Sequence, residues 1–200
     1  KTTNTYFRGS ISPPDFTSST VNPYDVAQYL TPMYSFALGL NTEYALSSCF
    51  TVKSGLFYER KGAWHIWDMS DGEYTYPEPD KKMVFDYLIM PLTMSYQTKG
   101  KVKFFAESGL FTGFLLQQQD LHIVNGELLE KANNTDQFSR FDFGFTLGIG
   151  IRIPIQKRLV LDIGLHNYSG LIDINKSYFD PRGVMRTCTN GLQIGLTYKF

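Results

Sequence analysis

The most regular segment of the chain is Asn190-Gly-Leu-Gln-Ile-Gly-Leu-Thr-Tyr-Lys-Phe200. Successive side chains of a β-strand point to opposite faces, so a strict apolar/polar alternation predicts an amphipathic strand. One face carries Leu192, Ile194, Leu196, Tyr198 and Phe200, and the other carries Gly191, Gln193, Gly195, Thr197 and Lys199. The apolar face therefore needs a hydrophobic surrounding along its whole length.

The composition excludes two classes of protein. The 19 basic and 19 acidic side chains cancel, so there is no charge excess that would favour nucleic acid as a partner. No apolar run approaches the roughly 18 residues of a membrane-spanning helix. Aromatic residues nevertheless make up 16% of the chain. Strands that alternate lipid-facing and lumen-facing residues hide their hydrophobicity from a sliding window, so these values favour a transmembrane β-barrel.

Six further segments alternate in the same way. With the first segment, the predicted strands are Met33 to Ala45, Cys49 to Arg60, Phe85 to Thr98, Val102 to Gln117, Phe138 to Ile153, Leu159 to Ser169 and Asn190 to Phe200. Short turns follow the first, third and fifth of these strands. Long polar loops at 61–82, 118–137 and 170–186 follow the second, fourth and sixth. Outer-membrane barrels show this asymmetry, with short periplasmic turns and long extracellular loops.

These features predict one all-β domain over residues 1–200, an eight-stranded antiparallel up-and-down transmembrane β-barrel in the outer membrane. Single-chain bacterial barrels have an even number of strands, so we expect another strand at Thr3 to Ile11. Residues 1–32 then hold that strand and a long connection, with a short helix at Asp25 to Leu30, and residues 33–200 hold the other strands. Phe200 lies at the periplasmic end, and outward aromatics form two belts.

Five blocks follow one another in a characteristic order along the chain: Gly55-Leu-Phe-Tyr-Glu-Arg-Lys-Gly62, Tyr87-Leu-Ile-Met-Pro-Leu92, Glu107-Ser-Gly-Leu-Phe-Thr-Gly113, Phe143-Gly-Phe-Thr-Leu-Gly-Ile-Gly150 and Asn190 to Phe200. Together they resemble the PorT-like outer-membrane β-barrel domains of Bacteroidota. The resemblance implies an eight-stranded outer-membrane barrel. Most members of that family have no assigned activity, and a few belong to a protein-secretion apparatus.

The inward faces of the predicted strands carry charges of both signs. The lumen of an eight-stranded barrel is just wide enough for side chains to fill, and an unpaired buried charge is strongly destabilising. We therefore predict a lumen network of Lys53, Glu59, Lys103, Glu107, Arg140, Asp142, Arg152, Asp162 and His166. A gated ion or proton path through the same groups is the alternative.

No catalytic, cofactor or metal site is predicted. His166 and Asp162 share a strand face, but regular alternation turns Ser169 to the other face, so a hydrolytic triad is not expected. His65 and His122 lie in separate loops without a convergent ligand pattern. Cys49 and Cys188 are expected near opposite ends of the barrel, as free thiols.

The leading hypothesis is a small non-enzymatic outer-membrane barrel that acts as a structural or interaction module through its external loops. Aromatics in the first loop are candidates for recognition or for contact with the bilayer interface: Trp64, Trp67, Tyr74 and Tyr76. Expected partners are outer-membrane lipid, an envelope protein, and the barrel-assembly machinery, which would read Leu196, Tyr198 and Phe200 as a C-terminal signal. No cofactor and no nucleic acid are expected.

Two alternative functions stay open. The first is a subunit of a protein-secretion or envelope-assembly complex, which rests on the PorT-like resemblance alone. The second is a soluble barrel that binds an apolar ligand in its lumen. The charges and glycines of the predicted lumen disfavour this second alternative, because a ligand cavity of that kind has mostly apolar walls.

Overall fold

The computed structural model describes residues 2–11, 29–66, 80–124, 127–176 and 185–199. These residues form the strands β1 (Thr2–Ile11), β2 (Tyr29–Pro32), β3 (Tyr34–Ala45), β4 (Phe50–Ile66), β5 (Asp80–Gln97), β6 (Lys103–Val124), β7 (Glu127–Asn133), β8 (Phe141–Pro154), β9 (Leu159–Gly170) and β10 (Cys188–Lys199). One turn of 3-10 helix covers Thr135–Gln137. In this described part of the chain no helix is long and apolar enough to cross a membrane.

Eight of the strands close into an antiparallel barrel. The order around the barrel is β1-β3-β4-β5-β6-β8-β9-β10, and β10 pairs back with β1. The predicted fold class is confirmed. Strand β1 pairs along its full length with both neighbours, from Thr2 opposite Lys199 to Ile11 opposite Asn190 on the β10 side. Main-chain hydrogen bonds make these ladders, so β1 completes the barrel despite its weak alternation.

Strands β4, β5 and β6 are longer than the sequence predicted. Strand β4 continues to Ile66, β5 begins at Asp80, and β6 runs to Val124 before returning as β7. The predicted loops at 61–82 and 118–137 are therefore partly β-sheet. Outside the bilayer a strand needs no apolar face, so its pairing leaves no period-two signal in the sequence. The predicted helix at 25–30 is wrong at its last two residues, which belong to β2; residues 25–28 lie outside the described ranges.

The outward face of the barrel is apolar and has aromatic residues toward both ends. Exposed aromatics near the short turns are Tyr44, Phe50, Tyr96, Phe104 and Tyr198, and those nearer the long connections are Tyr34, Phe36, Phe114, Phe141 and Phe145. Exposed Leu, Ile and Met side chains, such as Leu40, Met90 and Ile149, lie between them. Two aromatic girdles around an aliphatic band are the lipid-facing pattern of outer-membrane barrels.

Candidate functional site

The half of the lumen nearer the short turns contains a buried ion network around Lys53. The Lys53 Nζ atom lies 2.5 Å from Glu107 Oε2 and 3.5 Å from Glu43 Oε1. It also lies 4.7 Å from the centre of the Phe105 ring. All three charged side chains are almost fully buried. One ammonium therefore joins the carboxylates of β3 and β6 from its position on β4.

Arg152 is the second cation of this network. Its Nε lies 2.9 Å from Asp162 Oδ1, and its guanidinium also contacts the Glu43 carboxylate. Thr197 Oγ1 donates a hydrogen bond of 2.5 Å to Asp162. Arg152 thus connects β8 with β3, β9 and, through Asp162, β10. Because these groups come from strands far apart in sequence, the network fixes the cross-section of the barrel.

His166 extends the network from β9. Its Nδ1 lies 3.2 Å from Glu107 Oε1. A Cβ atom at Gly148 would lie 2.6 Å from His166 Cε1 and 2.8 Å from Glu107 Cγ. The absence of a side chain at Gly148 therefore leaves the room that this histidine and carboxylate occupy.

A second charged cluster lies further toward the long connections. Lys61 Nζ is 3.9 Å from Asp142 Oδ2, which accepts a 2.6 Å hydrogen bond from Thr187 Oγ1. The same ammonium lies 5.1 Å from the centre of the Tyr87 ring. Glu59 is 0% exposed, and neither of its carboxylate oxygens has a hydrogen-bond partner among the described residues. Among the described side chains, this half of the lumen therefore holds two acids, Asp142 and Glu59, and one base, Lys61.

Buried apolar side chains lie toward the outer mouth. They form one cluster of Phe57, Phe85, Tyr87, Ile89, Phe111, Leu115, Phe138, Tyr168 and Ile174. Phe138 and Ile174 belong to connections rather than barrel strands, and Phe138 packs edge-on against Phe85 with ring centres 5.0 Å apart. The Ser139 amide donates to the Ile174 carbonyl oxygen at 2.7 Å, which ties the two connections together. Side chains thus block the outer mouth.

Beyond this apolar cluster, a group of polar side chains fixes the hairpin of β6 and β7 to the barrel. Asp120 is buried and accepts hydrogen bonds from Gln118 Nε2 at 2.6 Å and from Asn134 Nδ2 at 2.8 Å. Lys81 Nζ lies 2.7 Å from the same carboxylate. Asp120 therefore links β5, β6 and the segment that follows β7. The base of the hairpin is fixed to the barrel.

The sequence of this barrel also matches a known protein family. A family model for the outer membrane protein beta-barrel domain matches residues 4–176 of the chain. The chain belongs to that family. Its location is the outer membrane, as the sequence predicted, and the short turns accordingly face the periplasm.

Solved structures with the same architecture include neisserial surface protein A, with 12% identity, 100% of this chain and 96% of that chain covered, and a TM-score of 0.55. The outer membrane protein OprG of Pseudomonas aeruginosa has 16% identity, 98% and 95% coverage, and a TM-score of 0.49. Ail, the attachment invasion locus protein of Yersinia pestis, has 12% identity, 98% and 97% coverage, and a TM-score of 0.45. At such low identity the likeness concerns the fold alone. No curated protein sequence matches significantly.

The structure of this outer-membrane barrel places most of the predicted lumen residues inside. The buried ones are Lys53, Glu59, Glu107, Asp142, Arg152, Asp162 and His166. Lys103 lies half-buried at the periplasmic mouth. The prediction for Arg140 is wrong: its side chain is exposed and its Nη2 lies 3.1 Å from Asp136 Oδ1. Strand β8 begins only at Phe141, so Arg140 lies in a bend where strand alternation does not hold.

Among the described residues, sequence reasoning missed four buried charges: Glu43, Lys61, Asp86 and Asp120. Asp86 pairs with Arg60, whose Nε lies 2.7 Å from Asp86 Oδ1. Glu43 lies on the inward face of β3, as the alternation predicts, but it was not included in the predicted charge network. Lys61 continues the odd-numbered inward series of β4 past Glu59, but the strand was expected to end at Arg60. Asp120 lies in the predicted second loop, where no alternation indicated burial.

The remaining predicted groups have separate locations. Trp64 is part of β4, and its side chain lies outside the described set, as do residues Trp67, Tyr74, Tyr76 and Phe200. Leu196 and Tyr198 are exposed on the outward face of β10.

Ser169 and His166 lie on opposite faces of β9. Ser169 Oγ donates to Asn167 Oδ1 at 2.8 Å. No three His, Cys, Asp or Glu side chains of this part of the chain form a group that could hold a metal ion. Cys49 and Cys188 are free thiols.

Proposed function

We propose that this protein is a non-enzymatic outer-membrane barrel that acts as a structural and interaction module outside the cell. The observation that carries the proposal is the filled lumen. Paired charges occupy its periplasmic half, and the aromatic cluster around Phe111 occupies its outer half. A filled eight-stranded barrel leaves its outer surfaces and its two mouths, rather than a channel through its interior, available for contacts.

The extracellular sheet is the best candidate for such a surface. A transmembrane strand needs about 9–11 residues to cross the bilayer, whereas β6 has 22. The extra length of β4, β5 and β6, together with β7, forms a paired sheet outside the membrane. A rigid sheet holds its side chains in fixed positions. Binding a partner therefore costs less conformational entropy than it would for a flexible loop that becomes ordered on binding.

Among the described side chains of this sheet, strand β7 carries the most exposed apolar ones. Leu128 is 57% exposed and Leu129 is 67% exposed. The register of β7 shifts between His122 and Ile123 of β6, which is a bulge. A bulge twists an edge strand away from pairing with further strands. We therefore expect a partner to bind the leucine side chains rather than to extend the sheet.

Other partners follow from the remaining surfaces. The aromatic girdles contact outer-membrane lipid, and Leu196, Tyr198 and Phe200 are the candidate signal for the barrel-assembly machinery. A PorT-like role in secretion or envelope assembly is a narrower hypothesis, supported by the sequence resemblance. It predicts contacts with envelope proteins at the periplasmic turns as well.

Photo-crosslinking in intact cells tests the proposed surface. A benzoylphenylalanine residue at Leu129 should capture an external macromolecule, and the matched position Ile155, exposed in a periplasmic turn, should not. The aspartate variant Leu128→Asp should reduce the Leu129 adduct at equal surface expression, because it places a charge in an apolar contact. Adducts at neither position, or equal adducts at both with no loss in Leu128→Asp, would contradict an external interaction surface. Adducts only at Ile155 would favour the secretion-complex role.

A further inference from the structure

The periplasmic end of the barrel contains a cavity that the filled lumen does not use. Its volume is about 510 Å³, and it lies among the short turns and the ends of the barrel strands. Cavities of about 300–1,000 Å³ hold small organic molecules. The cavity opens toward the periplasm, at the end opposite the proposed interaction surface, so the inference below does not depend on that function.

Cationic side chains outnumber anionic ones in the lining of this cavity, four to one. Lys101 belongs to the turn between β5 and β6, Lys103 begins β6, and Lys199 ends β10. Arg152 and Glu43 also line the cavity, but they pair with each other. None of the three lysines has a carboxylate within ion-pair distance among the described residues. The lining therefore has an excess of positive charge.

The strand register places two of these cations side by side. Lys103 of β6 lies directly opposite Arg152 of β8. Like charges at directly opposed positions destabilise an antiparallel pair. Arg152 is balanced by Glu43 and Asp162, whereas Lys103 is half-buried beside it with no counter-ion among the described residues. An anion bound in the cavity would remove this repulsion.

Neutral hydrogen-bonding groups complete the lining. Thr51 and Gln97 are buried at the wall, and Ser48 lies in the turn between β3 and β4. Hydroxyl and amide groups can donate to the oxygens of a phosphate or carboxylate, and lysine ammoniums attract such groups as point charges. The hydrogen-bond donors and the lysine charges therefore both favour a ligand with phosphate or carboxylate groups.

We propose that this cavity is a periplasmic binding site for a small molecule that carries phosphate or carboxylate groups. Lys103 is the central contact, and Lys101 and Lys199 bind the ligand from the rim. The anionic group comes either from a soluble solute or from the headgroup of a lipid in the inner leaflet.

Solution NMR of the barrel in uncharged maltoside micelles tests the site with inorganic phosphate as the probe. Phosphate should cause saturable shifts of the amides of residues 99–103 and 197–199, relative to chloride at equal ionic strength. The substitution Lys103→Gln should weaken this binding by up to about fivefold, the upper limit for a single exposed charge pair. Lys157→Gln is the matched control, because Lys157 is exposed at the same end but lies outside the cavity.

Lipid nanodiscs separate the two sources of the anion. The same shifts in phosphatidylglycerol discs, but not in phosphatidylcholine discs, would assign the site to a lipid headgroup. Saturation by free phosphate in phosphatidylcholine discs would assign it to a solute. Absence of saturable shifts with both probes, or equal weakening in Lys103→Gln and Lys157→Gln, would overturn the proposal.

Discussion

Replacing Lys53 with methionine should lower the free energy of unfolding by about 3–5 kcal/mol, the usual cost of removing one member of a buried ion pair. The side chain is of similar length, so the change removes the charge rather than the volume. It leaves the Glu107 carboxylate without its 2.5 Å ammonium partner and removes one of the cations that contact Glu43. Both acids are buried, so water cannot replace the lost interactions.

Reversible urea unfolding from lipid vesicles, followed by tryptophan fluorescence and gel mobility, measures this effect. Lys157→Met is the matched control, because Lys157 is exposed in a periplasmic turn and surface substitutions usually stay within about 0.5 kcal/mol. If Lys53→Met is also within about 0.5 kcal/mol of the wild type, the network does not stabilise the barrel as described.

Replacing Glu59 with glutamine should act in the opposite direction and raise the free energy of unfolding. Glu59 is fully buried, and its carboxylate oxygens accept no hydrogen bond among the described residues. It also shares the outer half of the lumen with Asp142, for which Lys61 is the nearby cation. An unsatisfied buried polar group costs about 1–3 kcal/mol, and more when it is charged. The isosteric amide is still a buried polar group, so it removes only the additional cost of the charge, and we expect a gain of about 1 kcal/mol.

The same substitution at Glu107 is the control for this prediction. Glu107→Gln removes an equal charge, but from a carboxylate that lies beside both Lys53 and His166. It should therefore destabilise the barrel in the urea experiment in which Glu59→Gln stabilises it. If both variants change the free energy of unfolding in the same direction, ion pairing in the lumen does not determine how these two acids affect stability.

The membrane-spanning part of the fold could be predicted because its chemistry is periodic. Lipid on one side and a polar lumen on the other impose the alternation seen from Leu192 to Tyr198, and this requirement ends at the bilayer surface. Residues 61–66 and 118–124 continue as strands beyond that surface. Their inward side chains, such as Lys61 and Asp120, no longer alternate with lipid-facing apolar residues, so the sequence pattern could not indicate these extensions.

The sequence could predict the strand face on which each charged residue of the site lies, but not the residue with which it pairs. Alternation assigned Lys53, Glu107 and Arg152 to the lumen, because each lies on a regular strand. Their pairing depends on the closure of the barrel, which brings Glu43 of β3 next to Arg152 of β8. That contact joins residues 109 positions apart, and no local pattern encodes it. Arg140 shows the limit of alternation at the first residue before a strand.

Conductance in planar lipid bilayers tests the filled lumen most directly. The ion network around Lys53 and the aromatic cluster around Phe111 obstruct both halves of the lumen, so the purified, folded barrel should produce no current steps across voltage and across acidic to neutral pH. A large porin reconstituted in the same way serves as the positive control. A stable ohmic current that scales with the amount of folded protein would contradict the account, because it would require a continuous water path through these side chains.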